Sequence, residues 1–319
     1  MIHRNNIHTF KDRRVLIVGD TILDMYTYCN IVCEALYAPI PEVEETSTAV
    51  SFGGNSLVAS NILELGGTVT FVSVVGDDAT AKQYDSFVHP NLKKIFFVDK
   101  TRKTTVKQRW FADGKPLLQV NTVDNHDLSE TLEKKVCVAL EKEFKKSDIV
   151  VVMDPQHGFL TKNLITKILE LSKKYEKPLY VDVQISHRES KHTLYKGADT
   201  FFLNSGEAKA IHPHFSATNA KQSLEEIAKK LDARNIIVKL GEKGSVALFE
   251  GKYIRTKAHP VSPVDVCGAG DAFLAAFSLC DRDTPEDSLT IANVWGGLST
   301  TVHGTVPPKR EDLLKMLDA

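Results

Sequence analysis

Short apolar runs recur along the chain, and each ends at a polar residue. Val15–Val18 precedes Gly19-Asp20, Val69–Val75 precedes Gly76-Asp77-Asp78, and Ile149–Met153 precedes Asp154-Pro155. Leu179–Val181 before Asp182, Phe201–Leu203 before Asn204, and Ile236–Val238 before Lys239 repeat the design. Uninterrupted apolar runs of this length suit strands covered on both faces. Between them the spacing turns helical. Val58, Ile62 and Leu65 make one stripe, and Ser129 is placed to cap a helix carrying Leu132, Val136, Leu140 and Phe144. Residues 161–174, 224–231 and 270–279 read the same way. Strands alternating with helices predict an α/β fold with a doubly wound, mostly parallel sheet. Ligands bind such sheets beyond the carboxyl ends of the strands, so Asp20, Asp77, Asp154, Asp182 and Asn204 are expected along one rim.

Two stretches break the alternation. Residues 31–50 and 94–121 carry Val, Thr, Phe and charged residues at a period of two, and Asp113-Gly114 reads as a hairpin turn. They predict a small antiparallel sheet inserted in a single domain spanning residues 1–319, placed over the rim as a lid.

Composition narrows the partners. The 319 residues, 42% of them hydrophobic, can bury a core without disulfide or metal staples. Lys and Arg (40) balance Asp and Glu (41), so no global field favours nucleic acid or an anionic membrane. A phosphate-bearing ligand must be held by local charges and backbone dipoles. Cys29 and Cys33 lie close together, but no second Cys or His pair completes a zinc pattern. Cysteine usage suits a reducing cytoplasm, the stretch Met1–Arg14 is too polar for a signal peptide, and the apolar runs are strand-sized.

The strongest local signal is Asp265-Val-Cys-Gly268-Ala269-Gly270-Asp271, which opens an apolar helix. The N–H groups of Gly268, Ala269 and Gly270 can converge on one anion, aided by the helix dipole, and small residues let a phosphate come close. Asp271, in the first turn, is placed to take a proton from an attacking hydroxyl. The same spacing also describes an ordinary glycine-rich turn with an acidic first-turn residue. Neither a Walker-type Gly-x-x-x-x-Gly-Lys-[Ser/Thr] nor a strand-borne Gly-x-Gly-x-x-Gly is present, which argues against P-loop kinases and Rossmann dehydrogenases.

This segment resembles the C-terminal signature of the ribokinase/PfkB family, in which the last Asp is the base and the glycines form an anion hole. Other landmarks follow in order over about residues 13–317. Gly53-Gly54-Asn55 is similar to the family's sugar-contacting glycine motif, and Gly19-Asp20 to its early substrate-binding Asp. Asn204-Ser-Gly-Glu207 resembles the Asn-x-x-Glu element that organises magnesium and the triphosphate. Lys239-Leu-Gly241-Glu-Lys-Gly244 resembles the nucleotide-contacting loop, and Asn293 falls where the family covers adenine. The resemblance implies ATP and Mg2+, the latter held mostly through water near Asn204 and Glu207, with a monovalent cation as an additional cofactor. Asp265 is grouped with the nucleotide side.

A finer resemblance is to the heptose kinase branch, carried by Gly19-Asp20-Thr-Ile-Leu-Asp24, by Ala38-Pro39-Ile40-Pro41, and by Lys107-Gln-Arg109 with Leu117–Val120. Asp154-Pro-Gln-His157 takes the place of a substrate-side loop. The branch's Asp-Pro-Lys reads Asp182-Val183-Gln184 here, so that lysine is absent. The expected acceptor is a sugar or sugar phosphate, such as a heptose 7-phosphate, touching Asp20, Asp24, Gly53, Gly54, Asn55, Lys107, Arg109 and His157. Bland alternatives stand beside these roles. Asp20 and Asp24 can close a turn, Asn55 can cap a helix, Asn204 and Glu207 can form a capping box, and Lys107 and Arg109 can solubilise a strand edge. His187, His212 and His303 read as incidental. Another sugar or a nucleoside as acceptor, or a silent sugar- or nucleotide-binding regulator, are the competing functions; a homodimer through the lid is the expected assembly.

Overall fold

The computed structural model describes residues 7–185 and 190–318; His187 and residues 1–6 lie outside that range. In chain order the strands are β1 (Arg14–Val18), β2 (Thr21–Glu34), β3 (Pro41–Gly54), β4 (Thr68–Val75), β5 (Leu92–Val98), β6 (Val106–Ala112), β7 (Lys115–Thr122), β8 (Ile149–Asp154), β9 (Leu179–Val183), β10 (Thr200–Asn204), β11 (Asn235–Lys239), β12 (Ser245–Phe249) and β13 (Lys252–Thr256). The longer helices are α1 (Asn55–Glu64), α2 (Glu130–Phe144), α3 (Lys162–Lys174), α4 (Ser205–Ile211), α5 (Ala220–Leu231), α6 (Ala269–Leu279), α7 (Pro285–Ser299) and α8 (Arg310–Asp318).

The main sheet runs β13-β12-β11-β10-β9-β8-β1-β4-β5. Strands β5 to β11 pair in parallel, and β12 and β13 are added by antiparallel pairing. The apolar runs alternate strictly between two layers. Val15, Ile17, Val151, Tyr180, Phe202 and Ile237 pack against α1, α6 and α7, whereas Leu16, Val18, Val150, Val181, Leu203 and Val238 pack against α2, α3 and α5. That two-sided burial is why these strands show no polar alternation. Each fully buried Leu, Ile or Val contributes about 1.5–3 kcal/mol. The caps follow sequence, with Ser129 and Thr161 accepting from Leu132 N and Leu164 N.

The second sheet has the order β3-β2-β6-β7. It corrects three expectations. It is mixed rather than antiparallel, because its central pair β2–β6 runs parallel. Residues 94–98 belong to β5 at the edge of the main sheet, where Val72 of its one neighbour aligns with Ile95; the alternation there was the signature of a half-covered edge strand. And β2 and β3 extend well beyond 31–50, to Thr21 and Gly54 at the main-sheet rim. The β6–β7 turn falls where expected, with Asp113 at φ 48° and Gly114 at φ 76°. Among the described residues no helix is long and apolar enough to cross a membrane.

Candidate active site

β1 sits between β4 and β8, where the order of connection reverses. The carboxyl ends of the strands flanking this switch point carry the first cluster. Asp20 is 3% exposed and its Oδ1 accepts from Phe159 N at 3.1 Å. Burial, then the neighbouring Asp154, pushes its carboxyl up to about 7 against the pull of the Phe159 amide. Asn55 is fully buried, and its Nδ2 donates to Met153 O at 2.8 Å and Asp20 O at 3.2 Å. It is therefore not the helix cap: Gly54, at φ 56°, holds that position with no side-chain bond. Gly19 is required beside it, since a Cβ there would lie 2.2 Å from Asn55 Nδ2. Among the described residues no side-chain or backbone donor reaches Asp20 Oδ2 or Asn55 Oδ1, both buried, a pair that fits hydroxyl groups of a ligand.

Four residues further along β2, Asp24 accepts from Arg109 Nη1 of β6 at 2.7 Å and from Thr305 Oγ1 at 3.0 Å. Gly53 makes the room, because a Cβ would lie 2.0 Å from Asp24 Oδ2. Lys107 lies two residues from Arg109 on β6, as period-two facing requires, and makes no ion pair among the described residues. His157 is turned to Asn125, its Nδ1 3.0 Å from Asn125 Oδ1.

The second cluster lies at the start of α6. Gly268 adopts φ 84°, and a Cβ would lie 2.5 Å from Leu57 Cδ2, so only glycine fits. The N–H groups of Gly268 and Gly270 find no acceptor among the described residues, while Ala269 N turns back on Val266 O at a long 3.4 Å. Two of the three expected amides are thus fully available and the third is weakly engaged. Asp271 is part-buried, and burial followed by Asp182 raises its carboxyl to about 7; Asp24 adds to this, while Lys239 and Lys107 oppose it. Its charged neighbours come from both sheets.

Lys239 pairs with Asp182 Oδ2 at 2.5 Å and lies against Gly270, whose Cβ would be 3.1 Å from Nζ. Burial opposes the ammonium, but Asp182 and Glu207 raise it further. Glu207 in turn is raised by burial and by Asp182. Asn204 and Glu207 form a complete capping box, Oδ1 accepting from Glu207 N at 2.9 Å and Oε2 from Asn204 N at 2.7 Å. Three carboxylates thus share one ammonium, a surplus of negative charge facing the anion corner.

Other candidates are engaged inside the protein. Asp265 accepts from Cys267 N at 2.9 Å and Gly304 N at 3.2 Å, which spends both oxygens on shaping the turn. Asn293 Nδ2 bridges Thr256 Oγ1 at 2.7 Å and Ser245 Oγ at 3.0 Å. Gly244 (φ 84°) allows the chain to pass Thr256 O, and Gly241 (φ 61°) faces open space. Asp77 is exposed, with Lys100 Nζ at 3.8 Å. Two surface cavities of about 410 and 530 Å3 open elsewhere, beside Arg14 and Lys93 and beside Asn219 and Arg255, and neither is lined by a candidate residue. The sequence reading missed Thr305, which sits in a loop without a signature, and gave Asp182 no more than a place on the rim.

With this geometry in place, the comparisons assign the class. The chain belongs to the pfkB family of carbohydrate kinases, which it matches over residues 12–312. It is 30% identical over 270 residues to the bifunctional protein HldE of Campylobacter jejuni, covering 84% of this chain and 56% of that one. It is 28% identical over 312 residues to the HldE protein of Bradyrhizobium diazoefficiens, covering 93% and 61%. The chain therefore spans little more than half the length of such relatives. Its fold is shared with Arabidopsis thaliana ribokinase complexed with ribose and ATP (TM-score 0.74, 20% identity, 96% of this chain and 99% of that one). It is also shared with Escherichia coli phosphofructokinase-2 in complex with potassium (TM-score 0.76, 17% identity, 96% and 98%).

Proposed function

We propose that this chain transfers the γ-phosphate of ATP to a hydroxyl of a sugar or sugar phosphate, with Asp271 as the base. One observation carries the reading: a part-buried carboxyl held near neutrality sits in the same helical turn as the free amides of Gly268 and Gly270. A base is most useful when its pKa lies close to the working pH. The amides and the helix dipole stabilise charge on the transferring group. Asp20 and Asn55, with their unpaired acceptors, hold hydroxyls of the acceptor sugar.

The carboxylate surplus around Lys239 fits a divalent cation brought in with the nucleotide. Mg2+ would be held through water near Asn204 and Glu207, and when bound it neutralises phosphate charge. A monovalent cation and the cytoplasm as the compartment complete the reading. A phosphorylated acceptor is favoured by Lys107, which forms no ion pair among the described residues, whereas the charge of Arg109 is spent on Asp24. The resemblance to the heptose kinase branch makes a heptose 7-phosphate the first acceptor to test. The small sheet serves as lid and as dimer face: β7 is exposed along its whole length, and Leu118 and Val120 are about half exposed.

The test is ADP release from ATP over a panel of a heptose 7-phosphate, fructose 6-phosphate, ribose and adenosine, with Asp271→Asn as blank. One acceptor class should turn over, and the blank should lose at least about 10²-fold. Silence across the panel, or a blank as fast as the parent, removes the proposal.

A further inference from the structure

One hydroxyl outside every motif joins the two halves of the site. Thr305, in the loop between α7 and α8, is 4% exposed. Its Oγ1 donates to Asp24 Oδ2 at 3.0 Å and lies 2.6 Å from Ser51 Oγ. Threonine has one hydroxyl proton, and Asp24 takes it, so Ser51 is the donor in the second bond. Arg109 closes on the other oxygen of Asp24 at 2.7 Å. The contacts thus run from Ser51 on β3, through the loop, to Asp24 on β2 and Arg109 on β6. Tyr26 adds a face, with the Arg109 guanidinium 5.4 Å from its ring centroid and its ring edge against Gly304.

The same loop also reaches the anion corner. Gly304 N donates to Asp265 Oδ2 at 3.2 Å, and Asp265 Oδ1 accepts from Cys267 N at 2.9 Å. Val264 N and Asp265 N both donate to Thr300 O, at 2.7 and 3.0 Å. Consecutive residues, 304 and 305, therefore hold the glycine turn on one side and the small sheet on the other. Their Cα atoms are about 3.8 Å apart, so the loop has no slack. If Asp24 moves further than a hydrogen bond tolerates, either the Thr305 bond breaks or Gly304 moves with it. A buried carboxylate that loses a donor is costly, which favours concerted movement.

We infer that Thr305 is a positioning residue that latches the small sheet to the phosphate-facing turn, so that the Asp24–Arg109 pair is felt at the amides of Cys267 to Gly270. This deepens the kinase reading and rests on it for its meaning in turnover.

The experiment is a double-variant cycle on the full chain, read by amide hydrogen exchange at Cys267 and Gly304, whose N–H groups are both bonded to Asp265. Arg109→Met should speed exchange there about fivefold or more in the parent, and by less than about twofold in a Thr305→Val background, since coupled sites are not additive. Equal effects in both backgrounds overturn the latch. Should Thr305→Val not fold, judged by exchange in β10, Thr305→Ala, which removes the same bond to Asp24, replaces it in the cycle. A second arm uses the acceptor found by the ADP-release panel. Thr305→Val should lower acceptor kcat/KM about tenfold, shift the KM for ATP less than about twofold, and be rescued by Thr305→Ser. Equal loss on both substrates overturns the inference. Absence of any acceptor turnover sinks the kinase reading alone, because the exchange arm needs no sugar.

Discussion

Under the proposed mechanism turnover should climb with pH through neutrality, because Asp271, the proposed base, is held near 7 by its surroundings. Burial is the main cause, and Asp182 is the next. With the inflection at about 7, roughly one molecule in ten carries an ionised Asp271 at pH 6 and one in a hundred at pH 5, so acceptor kcat/KM should fall about 10-fold and 100-fold. A carboxyl at its ordinary 3.8 would give a flat profile over that range. Two neighbours supply opposite tests. Asp182→Asn removes a repelling charge and frees the Lys239 ammonium, so the inflection moves down. Lys239→Met removes an attracting charge, so it moves up. Stability gives the same answer without a substrate. The folded chain holds this proton more tightly than the unfolded chain, so ionising Asp271 costs stability progressively between about pH 4 and pH 7. The ceiling is about 4 kcal/mol, and about 2 kcal/mol is expected after allowing for partial exposure. Asp271→Asn should therefore melt like the parent at pH 4 and be more stable by that amount at pH 8. A flat rate profile from pH 5 to 8, or shifts of the same sign in Asp182→Asn and Lys239→Met, would refute the reasoning.

Three further outcomes follow from the geometry. Arg109→Met leaves Asp24 short of its cation in a nearly closed site and should cost about 3 kcal/mol in urea unfolding. Gly268→Ala places a Cβ against Leu57 in a left-handed backbone, and should cost about 1–3 kcal/mol while raising the KM for ATP, measured in the ADP-release assay. Asn204→Ala opens the capping box, costs about 1 kcal/mol by thermal melting, and should weaken the response of turnover to Mg2+ titration.

Much of the scaffold was legible because two-sided burial leaves a plain mark. Val15–Val18 and Ile149–Met153 have no polar residue to hide their strands, and the Ser129 and Thr161 caps sit where the apolar stripes start. The small sheet was harder. Its strands alternate like any edge strand, so β5 was taken for part of it, and nothing local reveals that β2 and β6 run parallel. In the candidate site, motifs pointed to Asp271, Asp20 and Asn55, whose proposed roles depend on neighbours in sequence. They could not locate Thr305, because it meets Asp24 across 281 residues of chain. Nor could they show that Asp265 and Asn293 have internal partners, since pairing is settled by three-dimensional packing. Nor could spacing show that Lys239 reaches Asp182 from β11, two strands away.

The hairpin of β2 and β3 has both roots at the proposed sugar site, one directly after Asp20 and the other directly before Asn55. Each arm is 14 residues, roughly 46 Å of extended chain, and ends at a tip where Tyr37 and Leu36 stand fully in solvent. A small tilt at the roots is therefore magnified at the far end. A dye attached near residue 37 would act as the needle of a gauge, reporting occupancy of a pocket it never touches.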